Sequence, residues 1–245
     1  MNLRRRLTEL VLALAALAVT VGLALHVLPT TGSGKATGQA RRIIYRGMLD
    51  SAQTSNNCTR GRIALTFDDG PDVYTPQILE VLKAYGVHAT FFVMGRKAAA
   101  HPELIRAELA AGHIVENHSW DHPHLADLGQ NGILQQLVRT QAAITAAGAP
   151  RPTLFRPPYG SLNARVEAVA HALKLQIVLW SLDTNDWRGR NANDIAASVI
   201  DQAVPGAVVL MHDGVPNSAA TVQALPVIIQ GLRSRGFCTA LDTAP

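Results

Sequence analysis

From Arg62 onward the apolar positions fall into two kinds of run that take turns along the chain. Short blocks, most of them apolar without polar alternation, occur at Ile63–Phe67, Ala89–Val93, Ile114–Asn117, Leu154–Arg156, Ile177–Ser181, Val208–Met211 and Phe237–Leu241. Blocks of that length and pattern predict strands buried on both faces. Longer stretches between them predict helices over Thr75–Tyr85, Pro102–Ala111, Gly132–Ala147, Asn163–Leu173, Ala192–Ala203 and Thr221–Arg235. Thr75-Pro76 suits a helix cap and first position. Gly86, Gly112, Gly148 and Gly236 follow predicted helix ends, where a left-handed residue is wanted. Pro226 inside the last helix predicts a kink or a later start. The alternation gives an α/β fold with a mostly parallel sheet, open or closed, whose ligands collect at the carboxyl ends of the strands.

The first 60 residues follow a different pattern. Arg4-Arg5-Arg6 precede a nearly unbroken apolar run from Leu10 to Leu28, in which His26 is the one ionisable residue. About 19 residues at about 1.5 Å each approach the thickness of a bilayer's hydrocarbon. Arginines on the amino side stay cytoplasmic and send the rest outward. The run is long for a signal-peptide core, and no small-x-small site directly follows it, although Gly38-Gln39-Ala40 offers a late one. Residues 1–29 are therefore expected to be an uncleaved membrane anchor, with a cleaved signal peptide as the alternative and a buried core helix as the third. Residues 30–60, rich in Gly, Ser, Thr, Gln and Asn, read as a linker, and 61–245 as one domain. The expected location is extracytoplasmic.

Composition narrows this further. Of 245 residues, 48% are apolar and 16% charged, which excludes wholesale disorder. The net charge of +4 owes much to Arg4, Arg5, Arg6, Arg41 and Arg42, outside the domain, so no nucleic-acid partner is expected. The N-terminal segment is expected to meet the membrane, and the chain to be a monomer. The two cysteines, Cys58 and Cys238, flank the domain. In an exported chain they suggest a disulfide closing a loop of about 180 residues, worth at most ~4–5 kcal/mol in the chain-entropy account.

Polar clusters fall at the predicted strand ends. Thr66-Phe67-Asp68-Asp69-Gly70 closes the first strand, and His118-Ser119-Trp120-Asp121-His122 follows the third. Arg156-Pro157-Pro158-Tyr159-Gly160, Asp183-Thr184-Asn185-Asp186-Trp187 and His212-Asp213 follow the next three. Adjacent carboxylates repel unless a cation sits nearby. Two histidines spaced i, i+4 can aim at one point. Together they describe a two-His, one-carboxylate metal site with open positions, suited to zinc hydrolysis or to a non-haem iron oxygenase. Taken singly, each group has a plainer reading: a turn pair, surface histidines, an ion pair for Arg156, a structural His212, core aromatics. Histidines 26, 88, 101, 113, 124 and 171 match no pattern and are expected to be structural or solvated.

The five clusters in this order, TFDDG, HSWDH, RPPYG, DTNDW and LMHD, resemble the polysaccharide deacetylases of the NodB-homology group, carbohydrate esterase family 4. The likeness spans Arg62 to the C-terminus and shows no departure at a motif position. It implies a distorted (β/α)7-type barrel as a single catalytic domain. It implies a divalent metal, zinc by default with cobalt or manganese as options, held by Asp69, His118 and His122. Asp68 would be the general base, Arg156 would orient it, and His212 would be the general acid. Asp183 would support them. Tyr159 would donate its backbone N–H to the oxyanion, Leu210 would line the acetyl-methyl pocket and Trp187 would wall the groove. The implied partner is a polysaccharide that loses acetyl groups from N-acetylglucosamine units, as in chitin oligomers or peptidoglycan. An O-acetyl xylan esterase using the same site and a non-catalytic carbohydrate-binding protein are the alternatives.

Overall fold

A computed structural model describes residues 58–241; the anchor or signal segment and nearly all of the expected linker lie outside them. Eight parallel strands are present: β1 (Gly61–Asp68), β2 (Thr90–Val93), β3 (Ile114–Asn117), β4 (Leu154–Phe155), β5 (Gln176–Ile177), β6 (Leu182–Asp183), β7 (Val208–His212) and β8 (Phe237–Ala240). The helices are α1 (Thr75–Tyr85), α2 (Gly95–Ala100), α3 (Pro102–Ala110), α4 (Gln130–Ala146), α5 (Ala164–Ala172), α6 (Ala192–Gln202) and α7 (Ser218–Ser234).

The sheet order is β5-β4-β3-β2-β1-β7-β6, with β8 on the lower half of β1. Laid flat, seven strands would separate the outer two by about 29 Å. Yet Ile177 and Leu182 are five residues apart, at most about 18 Å of chain. The sheet must therefore curl, which gives the distorted (β/α)7-type barrel that the resemblance implied, with no ladder between β5 and β6 among the described residues. The predicted strand Ile177–Ser181 is corrected here. Its first four residues are apolar, but it spans the seam, so it pairs only at its ends.

Side-chain alternation along β1 explains two cores. Ile63, Leu65 and Phe67 point outward and join residues from α1, α3, α6 and α7 in the main cluster. Ala64 points inward and meets Phe92, Leu154, Val178 and Val208 in a small apolar floor inside the curl. Thr66 and Asp68 share that inward face one and two steps higher.

Local signals behaved unevenly. Gly86, Gly112, Gly148 and Gly236 have positive φ, as expected of helix ends. Asn163 caps α5 with its side chain rather than opening it. Thr75 is not the cap of α1; Tyr74 holds that position, while the Thr75 hydroxyl accepts from the Asp72 amide and donates to Asp213. The last helix begins at Ser218, earlier than expected, and runs past Pro226. Cys58 and Cys238 form the expected disulfide, their Cα atoms 5.2 Å apart, beside the lower end of β1.

Candidate active site

The register of β1 against β7 sets the frame. Thr66 lies beside Leu210 and Asp68 beside His212, so two inward pairs stand next to each other at the strand ends. Arg156, just beyond β4, is the largest fully buried side chain and rests above the apolar floor. Its Nη1 donates to Asp68 Oδ1 and to Thr66 Oγ1, both at 2.7 Å. Thr66 Oγ1 passes its own proton to the Val209 carbonyl at 2.6 Å. Nε and Nη2 reach the carbonyls of Val178 and Leu179 in the seam, and the guanidinium lies 4.1 Å over the Phe92 ring. All three guanidinium nitrogens of Arg156 are thus engaged, while Asp68 Oδ2 faces His118 Nε2 at 3.7 Å.

Facing Asp68 are Asp69, His118 and His122. Asp69 Oδ1 lies 3.4 Å from His118 Nε2 and 3.2 Å from His122 Nε2. One donor atom from each of the three falls within 4.8 Å of the others. His118 Nδ1 is 2.7 Å from the Arg156 carbonyl, which can only accept, so Nδ1 carries the proton and Nε2 presents its lone pair. Burial would raise the Asp69 carboxyl, but the His118 and His122 imidazoles beside it hold it low. Burial takes His122 down to about 4, with His118 opposing its protonation and Asp69 favouring it. Asp69 is therefore ionised and His122 neutral near pH 7, the forms that bind metal. Asp69 Oδ1 is buried without a hydrogen-bond partner. Donor set, protonation and orphaned oxygen all fit a divalent cation, of the kind zinc represents.

His212 sits opposite. Its Nδ1 meets Asp186 Oδ1 at 2.7 Å, and its amide donates to Asp186 Oδ2 at 2.8 Å. Thr221 of α7 donates to the same Oδ2 at 2.7 Å. Burial pulls the His212 imidazolium down, but the hydrogen bond and charge of Asp186 outweigh it and raise the group to about 9. The expected supporting acid needs correction. Asp183 turns its carboxylate to the Asn185 amide at 2.8 Å, a local turn bond, and Asp186 meets His212 instead.

The remaining expected residues form the rim. Leu210 is buried below His212, while Tyr159 and Trp187 are 58% and 46% exposed. Tyr159 has φ +58, and its amide finds no acceptor among the described residues. His124, expected to be unremarkable, stacks on the Tyr159 ring at 4.0 Å, and His122 meets that ring edge-on at 4.4 Å. Arg188 covers Trp187 at 4.6 Å.

With this geometry in hand, likeness to known proteins becomes specific. Residues 55–178, about half of the chain, match the family described as Polysaccharide deacetylase. The chain belongs to that family. It is 39% identical over 187 residues to a chitooligosaccharide deacetylase of Rhizobium leguminosarum bv. trifolii, covering 71% of this chain and 87% of the relative. It is 43% identical over 180 residues to the peptidoglycan-N-acetylglucosamine deacetylase PgdA of Listeria monocytogenes, covering 73% of this chain. The match spans only 37% of that relative's length. Among solved structures, a family 4 carbohydrate esterase from Streptomyces lividans in complex with acetate superposes with a TM-score of 0.70 at 41% identity, covering 74% of this chain and 92% of that one. As a polysaccharide deacetylase domain, the chain carries all five sequence clusters at one end of the curled sheet.

Proposed function

We propose that the chain is a metal-dependent hydrolase that removes acetyl groups from N-acetylglucosamine units of an extracytoplasmic polysaccharide. One observation carries the reading: a metal-fit trio faces a carboxylate and a histidine that stand in register on adjacent strands. The N-acetyl preference draws on relatives named for peptidoglycan and chitooligosaccharide. The extracytoplasmic location draws on the N-terminal apolar run.

Asp69, His118 and His122 would hold the cation, which supplies Lewis-acid polarisation and a more acidic water when bound. The chain's own groups do the rest. Asp68 Oδ2 accepts the proton of the attacking water, while Arg156 fixes Oδ1 and so the direction of the other oxygen. The free Tyr159 amide donates to the oxyanion of the tetrahedral carbon, a donor of a kind worth ~3–4 kcal/mol where it is preorganised. His212, protonated at neutral pH through Asp186, returns a proton to the departing amine. Leu210 walls the methyl side and Trp187 the glycan side. The products are acetate and a free amine on the polymer.

The test is acetate release from peptidoglycan, N-acetylglucosamine oligomers and acetylxylan, by zinc-loaded and chelator-treated protein. Release from the first two, abolished by chelation, is expected. Zinc-loaded protein that frees acetate from none of the three would sink the proposal.

A further inference from the structure

The two histidines of the trio are four residues apart, yet the segment between them is not helical. Ser119 and His122 take φ of +68 and +66, the left-handed region that side chains avoid. Such residues cost about 1–3 kcal/mol each and persist only where their surroundings hold them. A helix would supply its own bonds at this spacing; this loop must be gripped from outside.

The grip at the His118 end is redundant. His118 follows β3, its amide donates to the Val93 carbonyl, and its Nδ1 is tied to the Arg156 carbonyl. Asn117 accepts from the Ser119 amide, and the Gly95 and Arg96 amides donate to the Ser119 and Trp120 carbonyls. Gly95 is a glycine by necessity: a Cβ there would lie 2.6 Å from the Trp120 ring and 2.8 Å from the Thr140 backbone.

The His122 end has less. Its amide donates to Ser119 Oγ at 3.2 Å, and its Nδ1 has no hydrogen bond among the described residues. What fixes the backbone leading into it is Gln136 of α4. Gln136 Oε1 accepts from the Trp120 amide at 2.8 Å and the Asp121 amide at 3.2 Å. Its Nε2 donates to Asp121 Oδ1 at 2.6 Å. Nearly one helical turn on, Arg139 lays its guanidinium 4.0 Å over the Trp120 ring. The carboxamide touches none of the three ligand side chains, but it occupies the two amides that a relaxed loop would turn to water.

We propose that Gln136 is a positioning residue for the metal centre: by clamping Trp120 and Asp121 it holds His122 at binding distance from Asp69 and His118, and so sets metal affinity. This rests on the reading of that trio as a metal site. Without the clamp, His122 spends part of its time elsewhere, and apparent affinity scales with the fraction of molecules that stay competent. Partners of this indirect kind typically govern about 10- to 100-fold in affinity.

Zinc affinity of the full chain, measured by competition with a chromophoric chelator, tests this without substrate. Gln136→Met, similar in length but unable to bond, and Gln136→Ala are expected to weaken zinc about tenfold or more. Gln136→Glu combined with Asp121→Asn keeps an acceptor for both amides without opposing two carboxylates, and should bind zinc more tightly than Gln136→Met. Thermal unfolding of the metal-free protein should be unchanged in Gln136→Met, separating loop placement from global stability. Parent-like zinc affinity in the Met and Ala variants overturns the inference while leaving the metal site standing. A Gln136→Glu, Asp121→Asn double variant as weak as Gln136→Met overturns the acceptor role. A parent chain that binds no zinc overturns the metal reading itself, and this inference with it.

Discussion

Two kinds of backbone build the site. Asp68 and His212 end paired strands, and Leu210 and Arg156 stand within or just beyond one. Their spacing is inherited from ladder register. Asp69, Ser119, His122 and Tyr159 all have positive φ and lie in loops, where spacing has no ladder to set it. The groups proposed to move protons thus stand on regular structure. Of the groups proposed to hold the cation and the oxyanion, His118 directly follows β3, whereas Asp69, His122 and Tyr159 take left-handed backbone. Strand precision comes from the sheet as a whole, whereas loop precision depends on a few identifiable bonds.

Substitutions should expose this difference, and the largest effect belongs to the loop side. Asp69→Ala, His118→Ala or His122→Ala should each abolish stoichiometric zinc, read by elemental analysis after gel filtration, and reduce acetate release to background. Next comes Asp68→Asn, which should retain zinc and lose about 10²–10⁴-fold in turnover, the range of a lost general base. Undiminished turnover would remove Asp68 from that role.

Asp186→Asn should act through His212. The acid form is the competent one, so activity falls as pH rises through its pKa. Asp186 is what lifts that pKa to about 9 against burial. Its loss should therefore move the alkaline limb of the kcat profile to lower pH, and an unmoved limb would contradict the pairing. A bound cation presses the same way in both proteins and leaves the sign of the difference intact.

Thr66→Val strands one Nη1 proton of Arg156 in a dry interior. About tenfold in kcat is expected, on the scale of ~1–3 kcal/mol for an orphaned buried donor, with Thr66→Ser restoring the rate. Least for activity, Cys58→Ser should leave KM unchanged and lower unfolding free energy by about 2–5 kcal/mol in denaturant titration.

The strands were readable because burial on both faces leaves an unbroken apolar block. What that pattern conceals is direction. Ile177–Ser181 is as apolar as a strand, yet it spans the seam, a constraint set by six other strands. α2 was missed because six residues, Gly95–Ala100, are too few to show a helical period. The metal trio and the Asp68–His212 pair were legible in ordered clusters. The choice between Asp183 and Asp186 was not: both lie in one five-residue motif, and a single turn decides which carboxylate reaches His212. Gln136 carried no signal at all, since its partners are backbone amides sixteen and fifteen residues away. His124, set aside as structural or solvated, proved to be the platform under Tyr159.

The disulfide has a consequence for reach. Cys58 is fastened to β8 beside the first residues of β1, whereas the proposed proton-moving and cation-holding groups lie at or just beyond the last residues of the strands. All strands being parallel, these are opposite poles of the domain. Cys58, the first described residue, therefore lies at the pole facing away from the mouth. A glycan lying across that mouth would run clear of the disulfide.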